Sequence, residues 1–222
     1  MPRFVPIGIL LSLVTLASLE PLGSQTIDSL AFKDLQFRMA GPFRGGRSSA
    51  VTGFPANQDR WLMGTTGGGV WETTDNGISW QNISDGFFGG SIGAVRVADS
   101  DPNVIYVGQG STDIRGNTST GRGMWKSMDA GRTWAFIGLP EAGQIGRIEV
   151  HPGDHNLVYA AALGHPFGKN PERGIFRSGD GGETWNHVLA LNDSTGASDL
   201  TMDMVNPRIL YAGMWRGERK PW

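Results

Sequence analysis

The sequence predicts an all-β protein, and in particular a β-propeller with about three and a half four-stranded blades. Composition gives the first indication: of 222 residues, 34 are glycine, eight are tryptophan and ten are phenylalanine. This mixture is typical of short aromatic strands joined by many turns. The second indication is a repeat of about 50 residues with strand-like patterning, which is the period of a propeller blade.

Composition and charge also exclude several classes of protein. The absence of cysteine excludes a disulfide-stapled domain and a zinc–cysteine site. A hydrophobic content of 39% with a net charge of −2 favours a folded core over disorder. The balanced charge gives no general attraction to nucleic acid, so we expect no nucleic-acid partner. No pattern of metal ligands or nucleotide loops stands out, and we expect no metal and no cofactor.

The first residues predict export. Arg3 precedes an apolar run over residues 7–19, which is too short to span a bilayer comfortably but fits the core of a signal peptide. We therefore expect a signal peptide over residues 1–24 and a linker over residues 25–36. The alternative is a buried strand or helix of the fold. The mature chain has no comparable apolar run, so we expect no membrane span and a periplasmic or extracellular location in a bacterium.

One motif recurs three times and has the pattern Ser/Thr-x-Asp-x-Gly-x-Thr/Ser-Trp behind an aromatic residue. A short aspartate can accept the free N–H groups of a tight turn, and the glycine that follows can take positive φ. The hydroxyl can close the same turn, and the tryptophan can pack between sheets. We therefore expect structural roles for Thr73, Asp75, Gly77 and Trp80, for Ser127, Asp129, Gly131 and Trp134, and for Ser178, Asp180, Gly182 and Trp185.

A second motif, a turn followed by an apolar strand with a central tyrosine, sets the blade boundaries. Tyr106, Tyr159 and Tyr211 occupy the same slot, 53 and then 52 residues apart. The predicted propeller therefore covers residues 37–222, with blades at about 37–84, 91–140 and 144–192 and a partial blade at 198–222. A propeller needs at least about four blades to close. The sequence therefore predicts an N-terminal fragment whose further blades are missing and which is poorly soluble alone.

Candidate binding residues collect on one face of the predicted blades. Because the strands of a blade alternate in direction, the start of the first strand and the connection between the second and third strands lie on the same face. We call it the mouth face. Alignment on the tyrosine slot puts Ala94, Arg147 and Asp199 at equivalent positions, with Arg47 as the first-blade counterpart. The connections add Arg115, Arg122, His165, Lys169, Glu172, Arg173, Arg216 and Arg219.

These side chains predict binding of an acidic peptide, a carboxylate or a glycan, because arginine suits planar, bidentate contacts. The alternative is that the arginines hold loops together through hydrogen bonds to backbone carbonyls.

The triple motif resembles the Asp-box, or BNR repeat, of sialidases, sortilins and related propellers. Stretches 37–47, 144–148, 170–174 and 214–222 look like a group of exported bacterial proteins with sortilin-type, or glycosyl-hydrolase-like, Asp-box propellers. The resemblance covers about residues 35–222. It implies that the three aspartates are structural and lie on the turn between the third and fourth strands of each blade.

The resemblance also allows an enzyme to be considered. A sialidase needs a tyrosine nucleophile, but the three tyrosines here share one repeat slot, and the Arg-Ile-Pro signature is absent. Xyloglucanase-type members use two aspartates, one of them in a Thr-Asp-x-Gly-Gly stretch. The similar stretch here has Thr66 at that place, which cannot ionise. Asp113 and Asp199 remain candidate catalytic acids on the mouth face.

Three functions remain open. The first, which we favour, is an exported propeller that binds peptide or protein ligands, as sortilin-like propellers do. The second is a glycoside hydrolase of Asp-box type, closer to a xyloglucanase than to a sialidase. The third is a platform for assembly of another complex, like the photosystem II assembly factor that the chain distantly resembles.

Overall fold

The computed structural model describes residues 47–116 and 118–220. Over these residues the chain forms 14 strands, which build antiparallel sheets. The prediction of an all-β chain is therefore confirmed. The predicted signal peptide, the linker and residues 37–46 of the first predicted blade lie outside the described residues. In the described part, no helix has the length and hydropathy that crossing a membrane requires.

Three sheets have four strands each, and every strand pairs with the next one along the chain. Sheet 1 contains β1 (Ser48–Phe54), β2 (Asn57–Thr65), β3 (Val70–Thr73) and β4 (Gln81–Asn82). Sheet 2 contains β5 (Ile92–Val97), β6 (Ile105–Gln109), β7 (Met124–Ser127) and β8 (Ala135–Phe136). Sheet 3 contains β9 (Ile145–His151), β10 (Asp154–Ala162), β11 (Gly174–Ser178) and β12 (Asn186–Leu189). Sheet 4 pairs β13 (Gly196–Met202) with β14 (Leu210–Trp215).

The sheets pack face to face in chain order, with a hydrophobic core between each pair. The first strands of neighbouring sheets contact one another, so β1, β5, β9 and β13 form the inner side of the array. Between sheets 1 and 2, and between sheets 2 and 3, close approach requires glycine on the second strand of the earlier sheet. A Cβ at Gly64 would lie 2.6 Å from a methyl of Ile92, and one at Gly108 would lie 2.5 Å from a methyl of Ile145. A larger residue at either place would push two sheets apart.

The outer strand is the shortest strand of each complete sheet. The inner strands β1 and β9 have seven residues each, whereas the outer strands β4 and β8 have two and β12 has four. The aromatic side chain on the third strand covers this short outer strand, as where Trp125 packs edge-on against Phe136 at 5.5 Å between ring centroids.

The strand register corrects one sequence alignment. Arg147 pairs with Ala161, Asp199 with Gly213 and Ala94 with Gly108, so these three residues do share one slot. The residue opposite Gly64 in sheet 1 is Ala50, twelve residues before Leu62, which occupies the tyrosine slot.

The prediction that Arg47 is the first-sheet counterpart is therefore wrong. Arg47 lies directly before β1, where its carbonyl accepts the N–H of Thr66 at 2.9 Å. Ser91 and Gln144 make the corresponding bonds in sheets 2 and 3. Arg47 therefore occupies the same position in its sheet as Ser91 and Gln144 do in theirs. Sheet 1 contains no insertion relative to sheets 2 and 3.

Candidate functional site

The three aspartate turns lie opposite the mouth face, on what we call the turn face, between the third and fourth strands of sheets 1–3. Asp129 Oδ1 accepts the Thr133 N–H at 2.8 Å, and its Oδ2 accepts the Thr133 hydroxyl at 2.6 Å. The Ser127 hydroxyl donates to Asp129 at 2.8 Å and accepts the Gly131 N–H at 2.8 Å. The turns at Asp75 and Asp180 repeat this set of hydrogen bonds.

These hydrogen bonds also set the charge of the turns. Donation from the side chain and backbone of Ser79 lowers the pKa of Asp75 to about 2, and donation from Thr133 lowers the pKa of Asp129 to about 2. Thr184 lowers the pKa of Asp180 further. The three carboxylates are therefore ionised at neutral pH and occupied by their own turns. A general acid needs the opposite shift, a raised pKa.

The aspartate turns of sheets 2 and 3 also contact the preceding sheet. The indole N–H of Trp134 donates to the carbonyl of Ile83 at 2.9 Å, and that of Trp185 donates to the carbonyl of Ile137 at 2.7 Å. From the preceding sheet, Lys126 Nζ donates to the carbonyl of Gly181 at 3.1 Å. Arg60 reaches the carbonyl of Ala130 in the same way, at 2.9 Å. The turn face therefore joins neighbouring sheets.

On the mouth face of sheet 2 lies the connection that the structure describes over residues 110–116 and 118–123. Gln144, fully buried before β9, holds this connection: its Oε1 accepts the Ser111 N–H, and its Nε2 donates to the Ser119 carbonyl at 3.2 Å. The N–H of Gly121 donates to the carbonyl of Gly143 at 2.8 Å. The connection of sheet 2 is therefore positioned by the start of sheet 3.

Arg173, in the connection of sheet 3, holds loops rather than a ligand. Its side chain is buried and donates to the carbonyls of Gly217 at 3.0 Å, His165 at 2.6 Å and Gly168 at 3.1 Å. Burial lowers the pKa of its guanidinium. The prediction that Arg173 binds ligand is therefore wrong, and the alternative of loop fixation describes it. The reason is that the connection folds back over it toward the segment after β14.

Arg147 and Asp199 lie together on the inner side of the array. Arg147 Nε donates to Glu149 at 3.2 Å and lies 3.9 Å from Asp199 Oδ1. Glu149 is almost fully buried, whereas both other side chains are accessible. Sequence reasoning missed Glu149, although its i, i+2 spacing from Arg147 on one strand would have placed both on the same face. Ala50, Ala94 and Arg147 line a common groove of about 250 Å³.

A cleft on the mouth face brings together residues from two distant parts of the chain. Thr112, Asp113, Ile114 and Arg115 line it from the sheet 2 connection, and Trp215 and Arg219 line it from the end of sheet 4. We call this the mouth cleft. Asp113, Arg115, Trp215 and Arg219 are exposed. The sequence analysis did not select Trp215. Side chains alternate along a strand, so Trp215 shares a face of β14 with Tyr211, and this spacing is the sequence signal that could have pointed to it.

The remaining predicted residues are dispersed. Arg122 lines another cavity with Phe87, Gln109 and Trp125, at the junction of sheets 1 and 2. His165 is half-buried and uses its carbonyl to accept Arg173. Arg216 is exposed directly after β14. The structure therefore brings candidates together at two places, the mouth cleft and the Arg147–Asp199 pair, and leaves the others apart.

No protein-family model matches the chain, but it is similar in sequence to larger proteins. A xyloglucanase from Paenibacillus sp is 27% identical over 207 residues, which are 88% of this chain and 18% of that protein. A xyloglucanase from Hypocrea jecorina is 28% identical over 50% of this chain and 14% of its own length. Vacuolar protein sorting/targeting protein 10 from Sordaria macrospora is 30% identical over 52% of this chain and 7% of its own length.

Solved structures share the fold. An ancestral GH74 enzyme superposes with a TM-score of 0.60 at 24% sequence identity, over 76% of this chain and 22% of the enzyme. The GH74 xyloglucanase from Xanthomonas campestris gives a TM-score of 0.58 at 20% identity, over 77% of this chain and 28% of the enzyme. The predicted fold class is therefore confirmed, and the chain is a β-propeller whose relatives in sequence are xyloglucanases and a vacuolar sorting protein.

Proposed function

We propose that this chain belongs to an exported propeller that binds peptide or protein ligands, with the mouth cleft as the binding site. The observation that carries the proposal is the meeting of Arg115, Arg219 and Trp215 around one cavity. Two guanidinium groups suit a carboxylate, which they can bind through paired hydrogen bonds. An exposed indole offers a rigid apolar surface, and tryptophan and arginine are enriched among the residues that dominate binding energy.

The position of the mouth cleft supports the same reading. Apart from Trp215, which ends β14, its residues come from irregular segments held on rigid sheets, which is where binding residues concentrate in other folds. Gln144 fixes the first of these connections from below, and the buried Arg173 fixes the segment at Gly217. The cleft is thereby preorganised, which reduces the entropic cost of binding. Export remains part of the proposal and is supported by the apolar run after Arg3.

The second candidate function is glycoside hydrolysis, which the sequence similarity to two xyloglucanases favours. Inversion at a sugar needs two carboxyl groups roughly 6.5–9.5 Å apart across the scissile bond. The mouth cleft holds Asp113 beside arginines, and Asp199 lies within 3.9 Å of Arg147. Asp199 therefore has a cation at 3.9 Å and Asp113 shares a cleft with two arginines, an arrangement that suits the recognition of charged groups.

Binding can be tested with two fluorescent peptides that differ only in a glutamate or glutamine at one place. We expect the acidic peptide to bind more tightly. Arg115→Ala and Arg219→Ala should each weaken it about tenfold, as for the loss of one hydrogen bond to a charged group. Arg132→Ala, at an exposed arginine of the turn face, is the matched control. Equal binding of both peptides by all variants would contradict the proposal.

Hydrolysis can be tested in parallel with xyloglucan oligosaccharides. Turnover by the chain that is abolished in both Asp113→Asn and Asp199→Asn would establish the hydrolase and overturn our preference. Binding of acidic peptides without turnover supports the binding function.

A further inference from the structure

The cavity at the junction of sheets 1 and 2 is a second concave site on the mouth face, and we call it the aromatic cavity. Its volume is about 440 Å³, which is within the range of roughly 300–1,000 Å³ that small-molecule sites occupy. The lining combines three aromatic residues, Phe87, Phe88 and Trp125, with hydroxyl and amide side chains and one cation, Arg122. None of these residues lines the mouth cleft.

The aromatic rings of the cavity have different degrees of exposure. Phe88 is buried, and its ring stacks on that of Trp125 with 4.7 Å between the ring centroids. This contact supports the indole of Trp125, which is half-buried. The ring of Phe87 is 42% exposed, and its backbone N–H donates to the carbonyl of Ser84 at 3.1 Å. Two rings on a fixed backbone therefore keep free surface, which can pack against a flat apolar group.

A buried glutamine joins the two sides of the aromatic cavity. Gln109 Nε2 donates to the carbonyl of Gly89 at 2.7 Å, and Gln109 Oε1 accepts the indole N–H of Trp125 at 3.3 Å. The strand register places Thr65 of sheet 1 and Ala162 of sheet 3 at the position of Gln109. The fold therefore does not require an amide here, and the glutamine serves the cavity of sheet 2.

The hydroxyl groups of the aromatic cavity are also fixed. Ser91 Oγ and Ser119 Oγ lie 2.8 Å apart and share a hydrogen bond between the start of β5 and the connection of sheet 2. The carbonyl of Gly90 accepts the N–H of Gly69 at 3.0 Å, which ties the cavity to sheet 1. The lining is thus held in place without a ligand, which lowers the entropic cost of binding.

Arg122 supplies the charge of the aromatic cavity. Its side chain is exposed, and within residues 47–116 and 118–220 no carboxylate lies within 4.0 Å of its guanidinium. Arg173, in the corresponding connection of sheet 3, is instead buried and donates to three carbonyls. A guanidinium without a carboxylate partner is suited to bind the carboxylate of a ligand through paired hydrogen bonds.

We propose that the aromatic cavity binds a small aromatic carboxylate, a ligand of the benzoate class. The ring of the ligand packs against Phe87 and Trp125, and its carboxylate accepts hydrogen bonds from Arg122. The aromatic side chains of the lining favour a flat apolar body, and the single cation favours a single negative charge. This site goes beyond the peptide binding proposed for the mouth cleft, because the two sites share no residue.

The experiment is a titration of the full chain, labelled with 5-fluorotryptophan, with benzoate and with benzamide, followed by fluorine NMR. Trp125→Phe and Trp215→Phe assign the two signals that matter. We expect benzoate to shift the Trp125 signal in a saturable way and to leave the Trp215 signal of the mouth cleft in place. Benzamide keeps the ring but lacks the charge, so it should bind about tenfold more weakly.

Two exposed arginines of the same connection provide the variant and its matched control. Arg122→Gln should weaken benzoate binding about tenfold and leave benzamide binding unchanged, whereas Arg115→Ala should leave both unchanged. Phe87→Leu should weaken both probes, since both place a ring on Phe87. Equal affinity for benzoate and benzamide, or the lack of a saturable shift at Trp125, would overturn the proposal. Benzoate binding that shifts Trp215 and is lost in Arg115→Ala would also overturn it, by placing the ligand in the mouth cleft.

Discussion

The turn face and the mouth face follow different rules of construction. On the turn face, the same four residue types make the same hydrogen bonds in sheets 1–3, within about ten residues of chain each time. On the mouth face, the connections over residues 66–69, 110–123 and 163–173 share no such pattern, and two of them depend on a neighbouring sheet. Local repetition therefore builds the fold, while the variable connections carry the candidate site. Substitutions on each face can sharpen or break this contrast.

The largest effect is expected at Arg173, whose loss should show that mouth-face arginines are not equivalent. Arg173→Met removes three hydrogen bonds from a buried position, although Asn170 Nδ2 still donates to the carbonyls of His165 and Gly168, and we expect the free energy of unfolding to fall by about 3 kcal/mol. Urea denaturation measures this loss. Arg216→Met is the control and should change stability by less than about 0.5 kcal/mol, because that side chain is exposed. Equal effects of the two substitutions would mean that Arg173 does not hold the loops.

The second prediction concerns the contact between the turn face and the preceding sheet. Trp185→Phe keeps an aromatic ring but removes the donor to the Ile137 carbonyl, so we expect a loss of about 1.5 kcal/mol. Trp80→Phe is the matched control and should cost less, since Trp80 is exposed, whereas Trp185 is half-buried and packs against the core between sheets 2 and 3. Thermal unfolding of both variants makes the comparison. A larger loss at Trp80 would contradict the role of the indole N–H.

The third prediction is a dependence of stability on pH. The pKa of Asp75 and of Asp129 is lowered in the folded chain, so these carboxylates stabilise the fold fully at pH values above their ordinary pKa of 3.8. This stabilisation is lost as the pH falls from about 4 to about 2. We expect the melting temperature of Asp129→Asn to be below that of the parent at pH 6, with the gap narrowing at pH 2.5. A constant gap would contradict the proposed origin of the shift.

The smallest effect on stability is expected in the mouth cleft. Arg115 is exposed, so Arg115→Ala should change the free energy of unfolding by less than about 0.5 kcal/mol. Together with weaker binding of the acidic peptide, this result would indicate that Arg115 contacts the ligand and does not stabilise the fold. A loss of stability comparable to that of Arg173→Met would instead indicate that both arginines fix loops.

The fold was predictable because its signals are local. The aspartate, glycine and hydroxyl residues of one turn bond to each other, so their spacing in the sequence already determines the turn. The strand register was less predictable in sheet 1, where the slot of Tyr106 holds Leu62 and the alignment at Arg47 failed. With no tyrosine to mark the slot, only the strand pairing itself places Ala50 opposite Gly64.

For the candidate site, the sequence predicted only the face of the sheets on which it lies. Arg115 and Arg173 both lie in connections between second and third strands, and nothing in their neighbouring residues separates an exposed arginine from a buried one. The difference arises because the segment around Gly217 folds over Arg173. Likewise, Trp215 meets Arg115 only because the connection of sheet 2 contacts the segment after β14, which is about 100 residues away in the chain.

The short outer strands have a consequence for behaviour at high concentration. A free strand edge recruits other chains when it is long enough to form a ladder of intermolecular hydrogen bonds. The outer edges of the three complete sheets consist of two, two and four residues. They can seed little intermolecular pairing, so the perimeter of these sheets resists fibril growth even though Phe136 and Val188 are exposed on it.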